Sequence, residues 1–362
     1  MDDSADLSLV PDPGVVRLSS PADLVGVLPW RLGFHPTESL VVVCLEGPRR
    51  RDRLVMRVDI ADPRHDAAMA DDLAIRVRHI GASAALLAVY TDSPDGTGAG
   101  QGQLPRARLV RRVSRRLEAR GVAVPEAVLV RGDRWWSYLC HDAGCCPRDG
   151  TSVPRQPSPA ATRWAAEAVA EGATVLPDRS ALVASVEPPR GRARAAERAA
   201  AAARAETVLA SLEESGGPAA LRERTLAEFA RLRSLRVDSC LAPDPDAEVL
   251  IALGLRDAHA RDRVMTAVLD DDRREVIDLL RAVARAVDDV HAAPVCAALA
   301  WVAYCAGEGA LASVAVDRAL RAEPGYSLAG LLATGINGMV PPGALRAVSR
   351  SVRDDDLGRF GT

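Results

Sequence analysis

Between Asp133 and Pro147 the chain places Cys140, His141, Cys145 and Cys146, its densest set of side chains able to ligate a metal or attack an electrophile. Three of the seven cysteines lie here, with two of the five tryptophans and one of the six histidines. Three chemistries fit those residue types. A structural zinc ion takes four thiolate or imidazole ligands in a tetrahedral array. Cys140 and Cys145 are separated by four residues and no second Cys-x-x-Cys pair accompanies them, so the fourth ligand falls to His141 or to the distant His35. A reactive thiol is the second chemistry. Gly144 and Pro147 frame an exposed turn, and a neighbouring histidine lowers a thiol pKa, which makes Cys145 and Cys146 candidate nucleophiles. That adjacent pair could also oxidise to a strained vicinal disulfide. In the third reading the thiols do no chemistry: Cys140 ends a buried strand, and Cys145 and Cys146 pack as small apolar side chains at a seam between two domains. Cysteine is among the most buried residue types, which makes this the default expectation.

Two other groups of residues stand out. His35 and Glu38 sit in a polar turn just before an apolar run, a place where α/β proteins often carry site residues. Glu38 could fix the tautomer of His35, and the two together could do general acid–base work. The plainer role for His35 is a turn cap bonded to backbone. Trp135, Trp136 and Tyr138 alternate along one segment, so Trp136 and Tyr138 share a face opposite Trp135. One face is expected to pack on the core, and the other is a candidate interaction surface for a partner.

Familiar cofactor and hydrolase signatures are missing. No Gly-x-Gly-x-x-Gly follows an expected strand, and no Gly-x-Ser-x-Gly or His-Glu-x-x-His occurs. A phosphate-loop lysine is impossible because the chain has no lysine, and the glycines at 96, 98, 100 and 102 match a phosphate loop in composition only. No cofactor-binding residues are expected on these grounds.

The elements that must position these residues follow from periodicity. Ser20-Pro21 opens a helix over Ala22 to Leu32 that Gly33 ends, with Pro29 able to kink it or split it in two. Ser39 to Leu45 is a continuous apolar run, as in a strand buried on both faces, and Leu54 to Ile60 reads as its partner. Met69, Leu73, Val77 and Ile80 mark a helix from 64 to 80, and Leu109, Val113 and Leu117 mark another ending at Gly121. Ala85 to Tyr90 and Ala127 to Val130 read as strands, and Trp135 to Cys140 as the hairpin partner of the latter across Gly132-Asp133. Residues 92–103 read as a Gly/Pro-rich surface loop. The order β-β-α-β-α-β-β predicts an α/β domain over residues 1–150, a mixed sheet with flanking helices, with strand order left open.

Pro147 to Pro159 reads as a polar connector, and beyond it no strand is expected. Residues 151–362 form an expected all-α domain, with helices near 160–171, 178–186, 190–214, 217–237, 244–255, 258–269, 273–290, 294–306, 308–322 and 326–337. The Ala/Arg/Glu stretch from 190 to 214 suits a solvated helix, since Glu197, Glu206, Glu213 and Glu214 dilute its arginines. Leu299, Gly307, Ala312, Ala319, Leu320 and Pro324 approach the pattern of one tetratricopeptide repeat, with Ala300 where a glycine is usual. One unit predicts a repeat-like hairpin rather than an array.

Composition sets the setting. Of 362 residues 48% are apolar and 26% charged, enough for a sizeable core, while only 3% are aromatic, so Ala, Leu and Val must build it. The net charge of −3 and an all-arginine positive complement, best explained by codon bias, argue against nucleic-acid binding. No apolar run approaches the ~18 residues of a membrane span. The acidic stretch from Met1 to Asp12 is unlike a signal peptide. An odd cysteine count, with Cys44, Cys296 and Cys305 inside apolar segments, points to buried free thiols and a reducing cytoplasm.

Three stretches carry a family resemblance. They are Pro21-Ala22-Asp23-Leu24 with the segment from Leu32-Gly33-Phe34-His35-Pro36-Thr37-Glu38 to Val43; Arg134 to Cys140 with Cys145-Cys146-Pro147; and Pro324-Gly325-Tyr326-Ser327-Leu328-Ala329. On these the chain resembles a family found in actinobacteria, the domain of unknown function numbered 4192. The resemblance implies a soluble bacterial protein and lends no activity. The expectation is therefore a cytoplasmic protein-interaction or scaffold protein with a protein partner. The alternative is a small-molecule or thiol- or zinc-dependent enzyme using Cys140, His141, Cys145, Cys146, His35 and Glu38.

Overall fold

The computed structural model describes residues 20–360 except 48–50, 61, 94–103, 141, 143, 154–158, 171–173 and 238–243. The chain divides into two compact units, one running to Arg31 and then over Thr37–Ala173, the other Leu32–Pro36 with Thr174–Thr362.

The first unit is built on a mixed sheet of six strands: β1 (Ser39–Glu46), β2 (Arg51–Asp59), β3 (Ala84–Tyr90), β4 (Ala123–Arg131), β5 (Arg134–Ser137) and β6 (Thr151–Ser152). Their order is β2-β1-β3-β4-β5-β6, and the one parallel pair among them is β3 with β4. Strand β1 lies inside the sheet between β2 and β3, and its unbroken apolar run follows from burial on both faces, Leu40 through Leu45 all being buried.

Helix α1 (Pro21–Leu32) is one helix that passes Pro29 without breaking. It starts with a reciprocal cap. The Ser20 N–H donates to the Asp23 carboxylate, the Asp23 N–H donates to the Ser20 hydroxyl, and both bonds are 3.1 Å long. Helices α2 (Asp66–His79) and α3 (Ala107–Glu118) follow β2 and β3. Leu73, Val77, Leu109, Val113 and Leu117 close a core over Leu40, Val42, Leu87, Val89 and Leu129, the residues of alternating strand positions that share one sheet face. Helix α4 (Pro159–Ala170) completes the described helices of this unit.

Several expectations shift. The helix placed at 64 begins as a 3-10 turn, Pro63–His65, and becomes α-helical at Asp66. Strand β4 starts four residues before the expected Ala127. Strand β5 stops at Ser137 rather than Cys140: the Tyr138 N–H still reaches the Ala127 carbonyl, but the Ser137 hydroxyl takes the N–H groups of Leu139 and Cys140. The connector after Pro147 contains β6, whose Thr151 and Ser152 pair with Trp135 and Arg134. Most of the expected 92–103 loop lies outside the described residues.

The second unit is helical: α5 (Arg179–Ala184), α6 (Arg192–Val237), α7 (Pro245–Gly254), α8 (Ala258–Met265), α9 (Arg273–Arg285), α10 (Ala292–Cys305), α11 (Gly309–Ala322), α12 (Ser327–Asn337) and α13 (Pro342–Phe360). Asp178, Asp244 and Asp257 cap α5, α7 and α8, each carboxylate accepting the N–H of an alanine three residues on. Helix α6 joins the two helices expected at 190–214 and 217–237 across a kink, where Gly217 has φ 64° before Pro218. Helix α13 has no counterpart among the expected elements. It is held by bonds in both directions: the Trp301 indole of α10 donates to Ser349 at 3.0 Å, and Arg346 and Arg353 of α13 donate to the carbonyls of Cys305 in α10 and of Thr266 after α8. Helices α10 and α11 pack as a hairpin through Ala297, Ala300, Ala312, Ala315 and Ala319, all fully buried small residues. No helix among the described residues is long and apolar enough to cross a membrane.

Candidate metal centre

The cysteine turn hangs from the β4–β5 hairpin. Gly132, with φ 55°, lets the chain reverse, and Val130 then faces Trp135, Leu129 faces Trp136 and Val128 faces Ser137. Trp135 is buried, whereas Trp136 and Tyr138 are half-buried and pack against the helix-side core. Their polar ends are spoken for. The Trp136 indole N–H donates to the Arg148 carbonyl at 3.0 Å and the Tyr138 hydroxyl to the Pro105 carbonyl at 2.6 Å. Through these bonds the aromatic hairpin anchors the loop.

Both ends of the turn are clamped. At the entry, the Ser137 hydroxyl donates to Glu126 at 2.8 Å and accepts the N–H groups of Leu139 at 3.1 Å and Cys140 at 3.0 Å. At the exit, Arg134 donates to the carbonyls of Asp149 and Gly150, both at 2.9 Å. Inside, Asp142 organises the loop. Its carboxylate accepts the Gly144 N–H at 2.8 Å, and its carbonyl accepts the N–H groups of Cys145 at 3.2 Å and Cys146 at 2.7 Å.

The outcome is a triad of sulfurs. The Sγ atoms of Cys140, Cys145 and Cys146 all lie within 4.8 Å of one another, with 4.0 Å between Cys145 and Cys146. Cys145 is exposed and the other two are half-buried. Cys140 does not end a strand and Cys145 is not buried, so the three thiols are not placed as the packing expectation had them. Cys140 lies beyond the strand, and the hydrogen bonds of Ser137 and Asp142 turn the three side chains toward each other instead of into a core. By contrast, Cys44, Cys296 and Cys305 are buried free thiols, as expected, and Cys240 lies outside the described residues.

The electrostatics of the triad are uneven. The backbone N–H of Asp142, donated to Cys140 Sγ, lowers that thiol's pKa, and the Cys146 and Cys145 thiols add to the effect. Burial first, then the two neighbouring sulfurs, pushes the Cys146 thiol up to about 12. Cys140 thus loses its proton before Cys146, whose ionisation is opposed by repulsion from the Cys140 thiolate. A bound cation removes that repulsion and stabilises the thiolate form.

The donor set fits a soft ion. At Zn–S distances of ~2.3 Å the sulfurs of a tetrahedral site lie about 3.8 Å apart, so side-chain rotations of an ångström or less close this triad on zinc. An N–H donated to a ligating sulfur is the kind of outer hydrogen bond that orients such ligands. Three thiolates leave one tetrahedral position. His141, one sequence-level choice for it, lies outside the described residues.

Residues 21–343 match the family model described as Domain of unknown function (DUF4192). The chain belongs to this family. No curated protein and no solved structure matches it. The DUF4192 match spans the cysteine turn, its hairpin and the His35–Glu38 stretch alike.

The remaining sequence-level candidates of this DUF4192 chain fall elsewhere. His35 is exposed, and its backbone N–H donates to the Leu176 carbonyl at 3.0 Å. Glu38 has φ 41°, unusual for a non-glycine, and its carboxylate accepts the Thr91 hydroxyl at 2.9 and 3.0 Å and the Asp92 N–H at 2.8 Å. Those bonds bind the start of β1 to the end of β3 and account for the strained backbone. Ser137, Glu126, Asp142 and Arg134, which shape the triad, escaped the sequence reading. One local signal was present: Asp142 two residues before Gly144 is the pattern of an Asx turn.

Proposed function

We propose that this protein binds zinc through the thiolates of Cys140, Cys145 and Cys146, and that the β4–β5 hairpin exists in large part to hold that turn. The observation that carries the reading is the approach of all three sulfurs to within 4.8 Å of one another on a loop fixed at both ends. Thiolates select soft ions such as zinc over magnesium or calcium. Three protein ligands is also the count at which zinc keeps a position for a water or another exogenous ligand. With Cys145 exposed, such a ligand has access from solvent. Reduced thiols at this density suit a reducing cytoplasm.

The interaction or scaffold reading draws on the α10–α11 hairpin and its tetratricopeptide-like residues. A single unit of that kind offers no repeat array to hold a peptide. The aromatic side chains Trp135, Trp136 and Tyr138 are occupied in the hairpin, which leaves the metal site as the better supported reading.

Cobalt(II) titration of anaerobically purified, reduced protein tests the proposal. About one equivalent is expected to produce thiolate-to-cobalt charge-transfer absorption that zinc abolishes, and the Cys140→Ser, Cys145→Ser, Cys146→Ser triple variant is expected to show none. Fully reduced protein that gives no such absorption overturns the reading.

A further inference from the structure

The three sulfurs are near enough to bond with one another as well as with a metal. A disulfide needs Sγ atoms brought to ~2.05 Å and Cα atoms about 4.4–6.8 Å apart. Cys145 and Cys146 are consecutive, so a trans peptide holds their Cα atoms ~3.8 Å apart, short of that range. Cys140 must therefore supply one half of an unstrained bridge. Of its two possible partners Cys145 is exposed and Cys146 half-buried, so a dissolved oxidant meets Cys145 first. The Asp142 carbonyl and carboxylate already accept the N–H groups of Gly144, Cys145 and Cys146, and the sulfurs of Cys140 and Cys145 lie within 4.8 Å, which leaves the two side chains a short path to travel.

We propose that a hydroperoxide converts Cys140 and Cys145 to a disulfide and thereby releases the metal ion, making the site a peroxide-responsive metal latch. The release rests on the zinc reading above, while the disulfide rests on the thiols alone. The Cys145 sulfur attacks the peroxide; an S–O bond forms, the O–O bond breaks, and hydroxide leaves as water once protonated. The Cys140 sulfur then attacks the Cys145 sulfenic acid; the S–S bond forms, the S–O bond breaks, and a second water departs. Two thiolates are oxidised, one hydrogen peroxide is reduced, and two protons taken up from solvent complete the two waters. The ion keeps only the Cys146 thiolate of its three and dissociates, and a dithiol reductant restores the site.

The test uses the full-length, zinc-loaded protein and hydrogen peroxide near stoichiometry. Zinc release is followed with a chromogenic chelator while the remaining thiols are alkylated and mapped by fragmentation mass spectrometry. Trypsin leaves all three cysteines on one peptide between Arg134 and Arg148, so fragmentation shows which sulfur was alkylated. Release of about one equivalent of zinc with Cys146 alkylated and Cys140 joined to Cys145 is expected. Cys146→Ser protein is expected to form the same bridge, and Cys145→Ser protein, left with Cys140 and Cys146, to form any disulfide at least about tenfold more slowly. A bridge from Cys146 in the wild type, a sulfinic acid without any bridge, or a bridge that leaves zinc bound would each overturn the proposal. Protein that loads no zinc overturns the release and the zinc reading together, and the peptide map then still decides the disulfide.

Discussion

The hydroxyl of Ser137 donates to the carboxylate of Glu126 across the hairpin at 2.8 Å. The same oxygen accepts the N–H groups of Leu139 and Cys140, so one side chain both ends β5 and sets the direction in which the cysteine turn leaves the sheet. Ser137→Ala removes both functions while sparing every thiol. Its zinc affinity is expected to fall about 10–100-fold, the range for outer-shell changes at metal sites. Ser137→Thr is expected to restore most of it. Chelator competition measures the affinity, and a thermal melt run beside it separates lost positioning from lost fold. Unchanged affinity in Ser137→Ala would contradict a positioning role.

Gly150 closes the same loop. It has φ 75°, and a Cβ there would press into the indole ring of Trp136. Gly150→Ala is expected to cost about 1–3 kcal/mol in urea unfolding from the backbone conformation alone. The displaced indole should also change the tryptophan emission of the folded protein. A variant as stable as the parent, with the same emission, would place Trp136 outside the loop's support.

In the helical unit Arg318 is fully buried. Its guanidinium donates to the carbonyls of Val186, Ala284 and Val287 and lies 3.3 Å from Asp289 and 3.7 Å from Glu187. It thus joins the end of α5, the end of α9 and the turn before α10 to α11. Arg318→Ala leaves three carbonyls and the Asp289 carboxylate without this donor, while Glu187 keeps Arg321, and a loss of about 3–5 kcal/mol is expected. Arg318→Lys keeps the charge but not the fork of donors, and is expected to rescue less than half of that loss. Denaturant unfolding measures both, and a loss below ~1 kcal/mol in Arg318→Ala would show that the network is dispensable.

The same unit carries acids tuned by arginines. The Arg231 hydrogen bond holds the Asp244 carboxyl below its usual pKa, and the Arg233 hydrogen bond does the same for Asp272. For an acid whose folded pKa is depressed, the stabilisation is present above the unfolded value and is lost as pH falls through the folded one. Thermal stability is therefore expected to hold from neutrality to about pH 4 and to fall below it. Asp272→Asn should melt lower at pH 7 and show a shallower decline in acid. An equal decline in parent and variant would mean that these pairs do not set the acid limit.

What could be read from the sequence was what local periodicity records. Strand β1 is a run of apolar residues because both its faces are buried, and α2 and α3 show their buried stripes at Leu73, Val77, Leu109, Val113 and Leu117. Strand order escaped because β1 comes to lie between β2 and β3 through pairings that no local pattern encodes. Strand β6 is two residues long and exists only through Arg134 and Trp135, and α13 is a largely polar helix recruited by Trp301 and Arg346. The cysteine turn was visible as a cluster, but its exposure was not, since average cysteine burial says nothing of a loop steered by Ser137 and Asp142. Its main support, Glu126, lies eleven residues from Ser137 on another strand, beyond the reach of any motif.

The most direct measurement is metal content by elemental analysis of natively expressed, anaerobically purified protein, together with thiol counting before and after denaturation. The structure predicts about one zinc per chain, with Cys140, Cys145 and Cys146 shielded from alkylation until the ion is chelated or the fold is lost. Protein free of metal, in which the exposed Cys145 reacts at once in the native state, would contradict it.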